Sequence, residues 1–308
     1  MASEQKAKRQ KIVPCLWFDG KAEEASSFYH AVFPESRIGE ISRYPDVGQD
    51  IHRQQAGSVM TVRFWLWGCE FLALNGGPDF RFNSSVSFFV LCDREEEVTR
   101  IWKELISGGN ALMPLDRYEW SPKYGWLEDR YGVNWQIMLQ EDIGDEARII
   151  PLLFFTGGVA GKAREAIEHY LGIFERASIT EILTYNEGEA EYRDRIKHAR
   201  IVLEGQDLML MDANMDLHDA PFNEALSLMV MCRDQAEIDH YWDRLSEGGD
   251  VGAQQCGWLK DKFGVSWQIV PEGMEEFLNS EDPARARKGF EAMLGMKKID
   301  LQTFKNIV

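Results

Sequence analysis

Hydrophobic and polar positions along the first 140 residues follow a strand, helix, strand order. Residues that are β-branched or aromatic dominate the strand-like runs, whereas apolar residues recur at helical spacing between them. The pattern predicts strands at 12–18, 59–67 and 70–74 with a helix at 21–32. Pro34 is expected to end the helix, and Gly68 to turn the second strand into the third.

A second round of the same pattern follows. It predicts strands at 85–92, 124–128 and 133–139 with a helix at about 94–107. Asp93 is the expected N-cap of this helix, and Gly108-Gly109 its end. Strands and helices do not alternate strictly, which argues against a doubly wound fold. The order favours an α+β fold whose mixed sheets curve over a pocket.

Two parts of the chain repeat each other. Residues 125–137 (GWLEDRYGVNWQI) and 257–269 (GWLKDKFGVSWQI) are identical at nine of thirteen positions. The similarity extends upstream, where SSVSFFVLC at 84–92 aligns with EALSLMVMC at 224–232. The chain is therefore a tandem repeat of one module, and this self-similarity decides the architecture.

The repeat predicts the domain boundaries. We expect a mobile tail at 1–10, a first domain at 11–142, a linker at 143–147, a second domain at 148–273 and a helical appendage at 274–308. The charged sequence EDIGDEAR, which contains a glycine, marks the linker. The appendage has no counterpart in the first half, and Pro283 suits the start of a helix within it.

The composition restricts the classes of partner. A formal net charge of −17 repels phosphate backbones and anionic lipid, so we expect no binding to nucleic acid or to membranes. The first residues lack the apolar stretch of a signal peptide, and the five cysteines form no CxxC pair. These features predict a cytoplasmic protein with reduced thiols.

Several segments resemble the PhnB-like branch of the vicinal oxygen chelate superfamily, which includes glyoxalases and bleomycin-resistance proteins. The resemblance lies in QCGWLKDKFGVSWQIVP at 255–271, HARIVLEGQDLMLMD at 198–212 and VMTVRFWLWGCEFLALNGGP at 59–78. It implies four βαβββ units, paired into U-shaped sheets that enclose small-molecule pockets. Single-copy members usually form homodimers, so the implied state of a fused tandem is either a monomer with an internal pseudo-dimer or a homodimer.

Members of this branch are often labelled 3-demethylubiquinone-9 3-methyltransferase-like. The chain contains neither GxGxxG nor GxxxxGK[ST] at a strand–helix junction, so no nucleotide-binding turn of the Rossmann type is expected. These residues therefore do not predict the methyltransferase activity that the label names.

Metal-dependent members of the superfamily take ligands from the first and last strands of a unit. The resemblance places the first-strand positions on Pro14 and Pro151, which have no donor atom, and the last-strand positions of the later units on Gln136 and Gln268. One neutral glutamine per half is a poor ligand set for a divalent ion. We therefore expect no catalytic metal and no other cofactor. The alternative is a divalent metal held by a glutamine together with a side chain such as His198.

The remaining candidates are ligand-binding side chains in the two halves. They are Arg63, Tyr124, Trp126 and Gln136 in the first half, and His198, Arg200, Cys256, Trp258 and Gln268 in the second. Pocket walls are usually apolar and aromatic with a few polar groups, which this set resembles. Arg63 and Arg200 either bind a ligand carboxylate or phosphonate or face solvent on the outer side of the sheet. Cys256 is either a pocket-lining thiol or a nucleophile.

The sequence thus predicts a small-molecule binding protein with one pocket per half, the better preserved one in the second half. A metal-dependent lyase, isomerase or oxygenase of the same superfamily is the first alternative. An interaction protein with degenerate pockets is the second. No residue is identified as catalytic.

Overall fold

The computed structural model describes residues 10–307 except 142, 145–146, 186–191, 193, 214–218 and 279–281. The expected mobile tail at 1–10 lies outside the described residues apart from Gln10. No helix in the described part of the chain is long and apolar enough to cross a membrane.

Four units of strands and helices follow one another along the chain. The first comprises β1 (Ile12–Phe18), α1 (Ala22–Val32), β2 (Arg37–Arg43), α2 (Gln49–His52), β3 (Val59–Leu66) and β4 (Cys69–Asn75). The second comprises β5 (Val86–Cys92), α3 (Glu95–Leu105), β6 (Asn110–Tyr118), β7 (Ser121–Glu128) and β8 (Asn134–Leu139). The third comprises β9 (Ile149–Phe155), α4 (Ala163–Leu171), β10 (Ala177–Thr184), β11 (Ile196–Leu203) and β12 (Gln206–Asp212).

The fourth unit is shorter and is followed by three helices. It comprises β13 (Leu226–Cys232), α5 (Gln235–Leu245), β14 (Trp258–Lys260) and β15 (Ser266–Pro271). The C-terminal helices are α6 (Met274–Leu278), α7 (Pro283–Leu294) and α8 (Leu301–Lys305). Sixteen positions separate Gly109 from Gly125, but only eight separate the repeat-equivalent Gly249 from Gly257. The described part of the fourth unit accordingly has no strand in the place of β6.

Three local predictions need correction. The hydrophobic pattern misses β2 and β6, which are edge strands, because an edge strand with little burial shows no alternation of apolar and polar positions. Asp93 is not the N-cap of α3. The N-cap is Arg94, which makes no capping bond with its side chain, and Asp93 pairs instead with Arg148 at 3.0 Å. In the other half, Asp234 does cap α5, accepting from the backbone N–H of Glu237.

The units form two mixed sheets that each draw on both halves of the repeat. The seven-stranded sheet has the order β14-β15-β13-β1-β4-β3-β2, and the eight-stranded sheet the order β10-β11-β12-β9-β5-β8-β7-β6. Antiparallel pairs of β1 with β13 and of β5 with β9 join the halves. The expectation of one pocket inside each half is therefore wrong, because the first strand of every unit pairs with a unit of the other half.

One hydrophobic core runs through all four units on the helix-covered faces of the sheets. Trp135 and Trp267, which adjoin the two glutamines, are fully buried there. Strand alternation sends these tryptophans toward the helices and the neighbouring glutamines toward the other face. The faces away from the helices carry separate apolar clusters.

A buried aspartate joins the two units of each half. The Oδ2 atom of Asp129 accepts from Tyr29 Oη at 2.7 Å and from Trp135 Nε1 at 2.9 Å, while two backbone amides donate to Oδ1. Asp261 makes the same contacts in the second half. Tyr29 lies on α1 and Trp135 on β8, so each aspartate ties together units that belong to different sheets.

Candidate functional site

The face of each sheet away from the helices is a groove. Trp126 on β7 contacts Phe154 on β9 with ring centroids 5.8 Å apart, although two strands lie between them. Three strand spacings in a flat sheet would amount to roughly 14 Å. In the seven-stranded sheet, Trp17 on β1 and Trp258 on β14 contact in the same way at 5.9 Å. Both sheets therefore curve toward this face, and we name the two hollows the eight-strand groove and the seven-strand groove.

Aromatic and aliphatic side chains of both halves line the eight-strand groove. Its buried members are Phe89, Leu91, Tyr124, Trp126, Ile143, Ile150, Leu152, Phe154, Met209 and Ala213. Phe89 also contacts the ring of His198, with centroids 6.2 Å apart. The rim carries Trp120 on one arm and Leu183 on the other, which are 55% and 51% exposed.

A chain of buried hydrogen bonds forms the polar part of this groove. Tyr124 Oη donates to Gln136 Oε1 at 2.6 Å, and Gln136 Nε2 donates to Ser87 Oγ at 2.9 Å. Burial raises the pKa of Tyr124, so its phenol stays protonated and remains a donor. The glutamine amide is thus fixed in orientation by partners on both sides.

The second half contributes two basic side chains to the same groove. Arg200 Nε pairs with Asp207 Oδ1 at 2.7 Å, and both side chains are largely buried. Burial lowers the pKa of His198, whose Nδ1 lies 3.8 Å from Glu181 Oε2. Arg200 lies opposite Met209, a groove residue, so it does not face solvent on the outer side of the sheet. Its charge is compensated within its own hairpin.

The seven-strand groove repeats this plan with differences. Gln268 Nε2 donates to Ser227 Oγ at 2.8 Å, and the Cys15 thiol lies beside both side chains. Burial raises the pKa of Cys15 to about 12. Arg63 pairs with Glu70, as Arg200 does with Asp207. The geometry of the two arginine pairs is therefore a property of the repeated hairpin.

Cys256 lies at the edge of the seven-strand groove, against the C-terminal segment. Its backbone N–H donates to the Met296 carbonyl at 2.8 Å. Burial raises the pKa of its thiol. Among the residues that the structure describes, no cation or base lowers the pKa of this thiol, which argues against a nucleophilic Cys256.

The predicted site residues separate into two groups that cross the halves. Tyr124, Trp126 and Gln136 of the first half meet His198 and Arg200 of the second half in the eight-strand groove. The seven-strand groove receives Arg63 of the first half and Trp258 and Gln268 of the second, with Cys256 at its edge. The residues expected to line one second-half pocket thus lie on two different sheets.

The placement of the metal positions on Pro14 and Pro151 also needs correction. These prolines lie opposite Leu228 and Phe88, which belong to the helix-side core, and they border a cavity of about 230 Å³ between the two sheets. Alternation along a strand places them on the face opposite Gln136 and Gln268, so the alignment is one residue out of register.

On the groove face the possible metal ligands are few. At the groove-facing positions next to the prolines and on the paired strands, the seven-strand groove has Cys15 and Leu72, and the eight-strand groove has Leu152 and Met209. The leucines have no donor atom, and the eight-strand groove adds one imidazole, that of His198. Both glutamines already donate to their serines. No group of three or more His, Cys, Asp or Glu within the described ranges is arranged to hold a metal ion. These donors do not fit a catalytic divalent metal.

Sequence reasoning misses several groove residues that the repeat already marks. Ser87 and Ser227 occupy the same place in the aligned segments SSVSFFVLC and EALSLMVMC. Phe89 and Phe154 carry no such mark, because an apolar residue in a strand is typical of either face.

Comparisons with known proteins place the chain in a family. The family model described as 3-demethylubiquinone-9 3-methyltransferase matches twice, at residues 10–138 and 147–270. A structure from Bacillus cereus described as a putative 3-demethylubiquinone-9 3-methyltransferase, PhnB protein, is 41% identical. The match covers 42% of this chain and 100% of that chain, with a TM-score of 0.39. Protein PA1353 from Pseudomonas aeruginosa is 25% identical over 44% of this chain and 100% of that chain, with a TM-score of 0.37.

A more distant structure matches the whole architecture. Glyoxalase I from Zea mays is 11% identical, and the match covers 94% of this chain and 98% of that chain with a TM-score of 0.53. This likeness shows a shared fold. No curated protein matches the chain. Because one family model matches both halves of the repeat and thereby most of the sequence, the chain belongs to the 3-demethylubiquinone-9 3-methyltransferase family, and it shares the fold of glyoxalase I.

Proposed function

We propose that the chain binds an uncharged, largely apolar small molecule in the eight-strand groove, without a catalytic metal. The observation that carries this proposal is the meeting of aromatic side chains from both halves around one fixed polar chain, Tyr124, Gln136 and Ser87. Ligand pockets typically combine an apolar lining with a few oriented hydrogen-bonding groups.

Charge compensation supports an uncharged ligand. A carboxylate that reached Arg200 would have to displace Asp207 from a largely buried ion pair, leaving a buried charge without its partner. His198 is neutral near pH 7 because burial lowers its pKa, so it adds no positive charge. An aromatic or aliphatic ligand with one hydrogen-bonding group binds without breaking the Arg200–Asp207 ion pair and needs no positive charge in the groove.

Two other functions are the alternatives to this proposal. A metal-dependent lyase, isomerase or oxygenase of the superfamily requires three strong donors. Beside the single imidazole of His198, the polar chain of the groove offers amide and hydroxyl groups that already bond each other. An interaction protein with degenerate pockets requires no ligand at all. The oriented amide of Gln136 argues against the second alternative, since a degenerate groove has no need of it.

Thermal denaturation with a matched set of compounds tests the proposal. Indole and naphthol are expected to raise the Tm at millimolar concentration, because binding to the folded state stabilises it. Benzoate and phenylphosphonate, which have similar rings but a charge, are expected to have smaller effects. Metal analysis of protein purified without chelators accompanies these measurements.

Two matched variants assign the effect to one groove. Gln136→Leu breaks the polar chain and is expected to weaken binding by about 1 kcal/mol or more, roughly fivefold. Gln268→Leu makes the same change in the seven-strand groove and is expected to leave binding unaltered. Stabilisation by the charged compounds alone would assign Arg200 to the ligand. Stabilisation by none would support an interaction protein, and stoichiometric zinc, nickel, manganese or iron would support an enzyme.

A further inference from the structure

The C-terminal helices cover one of the two grooves. Phe290 on α7 is only 3% exposed and packs with Tyr44 and Met60 on the first-unit arm of the seven-stranded sheet. Its ring also contacts His52, with centroids 5.8 Å apart. Leu74 packs with this cluster and with the apolar floor of the groove around Cys15, so the cluster that holds α7 adjoins the floor.

The segment after α7 occupies the place where the fourth unit is short. The carbonyl oxygens of Met296 and Lys297 accept from the backbone N–H groups of Cys256 and Gly257 at 2.8 and 2.7 Å. In the second unit, the equivalent backbone around Tyr124 pairs with β6. The C-terminal segment thus takes the position of the missing arm and then enters the core with Ile299 and Phe304.

The eight-strand groove differs in this respect. Its arm β6–β7 is complete, and its rim residues Trp120 and Leu183 are exposed. In the described ranges, no segment outside the second and third units and their linker packs into its apolar cluster. The chain therefore has one groove with an exposed rim and one groove that it closes itself.

We infer that α7 is a built-in occupant of the seven-strand groove, closing a second binding site for apolar molecules that opens when α7 undocks. Phe290 and Leu294 stand in for the ligand, since they pack in one cluster with Leu74, which also belongs to the apolar floor around Cys15. The chain holds α7 close on both sides, because β15 precedes it and α8, anchored by the buried Phe304, follows it. This inference does not depend on the ligand of the eight-strand groove.

Thiol labelling of the full chain tests the inference without any ligand. Cys15 is 1% exposed on the floor of the seven-strand groove, whereas Cys92 and Cys232 are buried in the core behind the sheets. Phe290→Asp places a charge in the contact and is expected to undock α7. N-ethylmaleimide should then modify Cys15 at least about tenfold faster than in the unchanged chain, while Cys92 and Cys232 stay protected.

Two further variants complete the test. Leu294→Asp, one helical turn after Phe290 in the same cluster, is expected to reproduce the effect, whereas Lys288→Asp introduces a negative charge on the exposed face and should leave the labelling of Cys15 unchanged. The inference is overturned if Cys15 stays as slow in Phe290→Asp and Leu294→Asp as in the unchanged chain. It is also overturned if Cys92 and Cys232 are labelled together with Cys15, since α7 would then be a part of the core.

Discussion

Asp129 and Asp261 show how a single side chain explains a repeated motif. Each carboxylate accepts from a tyrosine hydroxyl, an indole N–H and two backbone amides. The aspartate and the second tryptophan of GWLxDxxGVxWQI are therefore structural residues, whereas the glutamine after that tryptophan faces a groove. The thirteen-residue motif therefore contains both residues that stabilise the fold and a residue of the candidate binding site.

Removing one of these carboxylates should destabilise the fold strongly. Asp261→Asn places an amide NH2 where one oxygen accepted from both Tyr170 and Trp267, so at least one buried donor loses its acceptor. We expect the free energy of unfolding, measured in urea, to fall by about 3 kcal/mol. Asp234→Asn is the matched control, because asparagine caps a helix as well as aspartate does, and it should cost less than about 0.5 kcal/mol.

The pH dependence of the same variant has a defined sign. Burial raises the pKa of Asp261 from 3.8 to about 6. Between these values the folded state binds more protons than the unfolded state, so the stabilisation from this group is complete below about pH 4 and is lost as the pH rises through 6. The unfolding free energy lost in Asp261→Asn should therefore be about 1 kcal/mol larger at pH 5 than at pH 7. A smaller loss at pH 5 would mean that the folded state prefers the carboxylate.

At this scale, the sequence predicts which residues matter better than where they point. Every predicted site residue except Cys256 has its side chain on a groove face. The family resemblance nevertheless places the metal positions on Pro14 and Pro151, which face away from both grooves. In a strand a shift of one residue exchanges the two faces, and apolar runs such as IVPCLWF give no alternation by which to detect the shift.

Among the elements, the glycine pairs after α3 and α5 control how closely helix and motif approach. Gly108 and Gly248 have positive φ angles of 82° and 73°, which let each helix end. A Cβ atom on Gly249 would lie 1.9 Å from the Lys260 carbonyl oxygen, and on Gly109 2.1 Å from that of Glu128. Gly109 and Gly249 are needed because any side chain there would collide with the backbone of the repeated motif.

Substitution of the second glycine of the pair is expected to strain the fourth unit. Gly249→Ala should lower the free energy of unfolding by about 3 kcal/mol, because the carbonyl that it meets belongs to the backbone and cannot rotate away. Gly158→Ala is a suitable control, since a Cβ there meets nothing within 4 Å, and it should change stability by less than about 0.5 kcal/mol. Equal losses in chemical denaturation would contradict this account.

Buried elements are predictable here and edge elements are not. Strands such as β5 and β13 are buried at every position and stand out as apolar runs. The edge strand β2 reads RIGEISR and buries only Ser42. What makes β2 a strand is its pairing with β3, which lies sixteen or more residues further along the chain and leaves no local pattern.

Two kinds of contact connect the four units of the molecule. Strand pairing joins the first unit to the fourth and the second to the third, while the aspartate contacts join the first to the second and the third to the fourth. Neither half therefore has a complete sheet of its own. The sequence repeat reveals the four units but not which of them pair, because equivalent first strands offer equivalent edges.

Separated halves should be unable to exist as folded monomers. We expect residues 1–142 and 143–308, expressed alone, to form homodimers or aggregates, because β1 and β5, or β9 and β13, would lose their partners. Co-expression should give a 1:1 complex, which size-exclusion chromatography with light scattering identifies. The intact chain should be a monomer that unfolds in one calorimetric transition. A folded monomeric half would contradict the crosswise pairing.

The crosswise pairing also sets how the two grooves are able to diverge. In a dimer of identical single-copy chains, every substitution appears twice and alters both binding surfaces together. In the fused chain, position 124 holds a tyrosine inside one groove, and its equivalent 256 holds a cysteine at the edge of the other. In the fused chain the two grooves consist of residues at different sequence positions. One groove is therefore free to change, or to be filled by a segment of the chain, while the other groove keeps its shape.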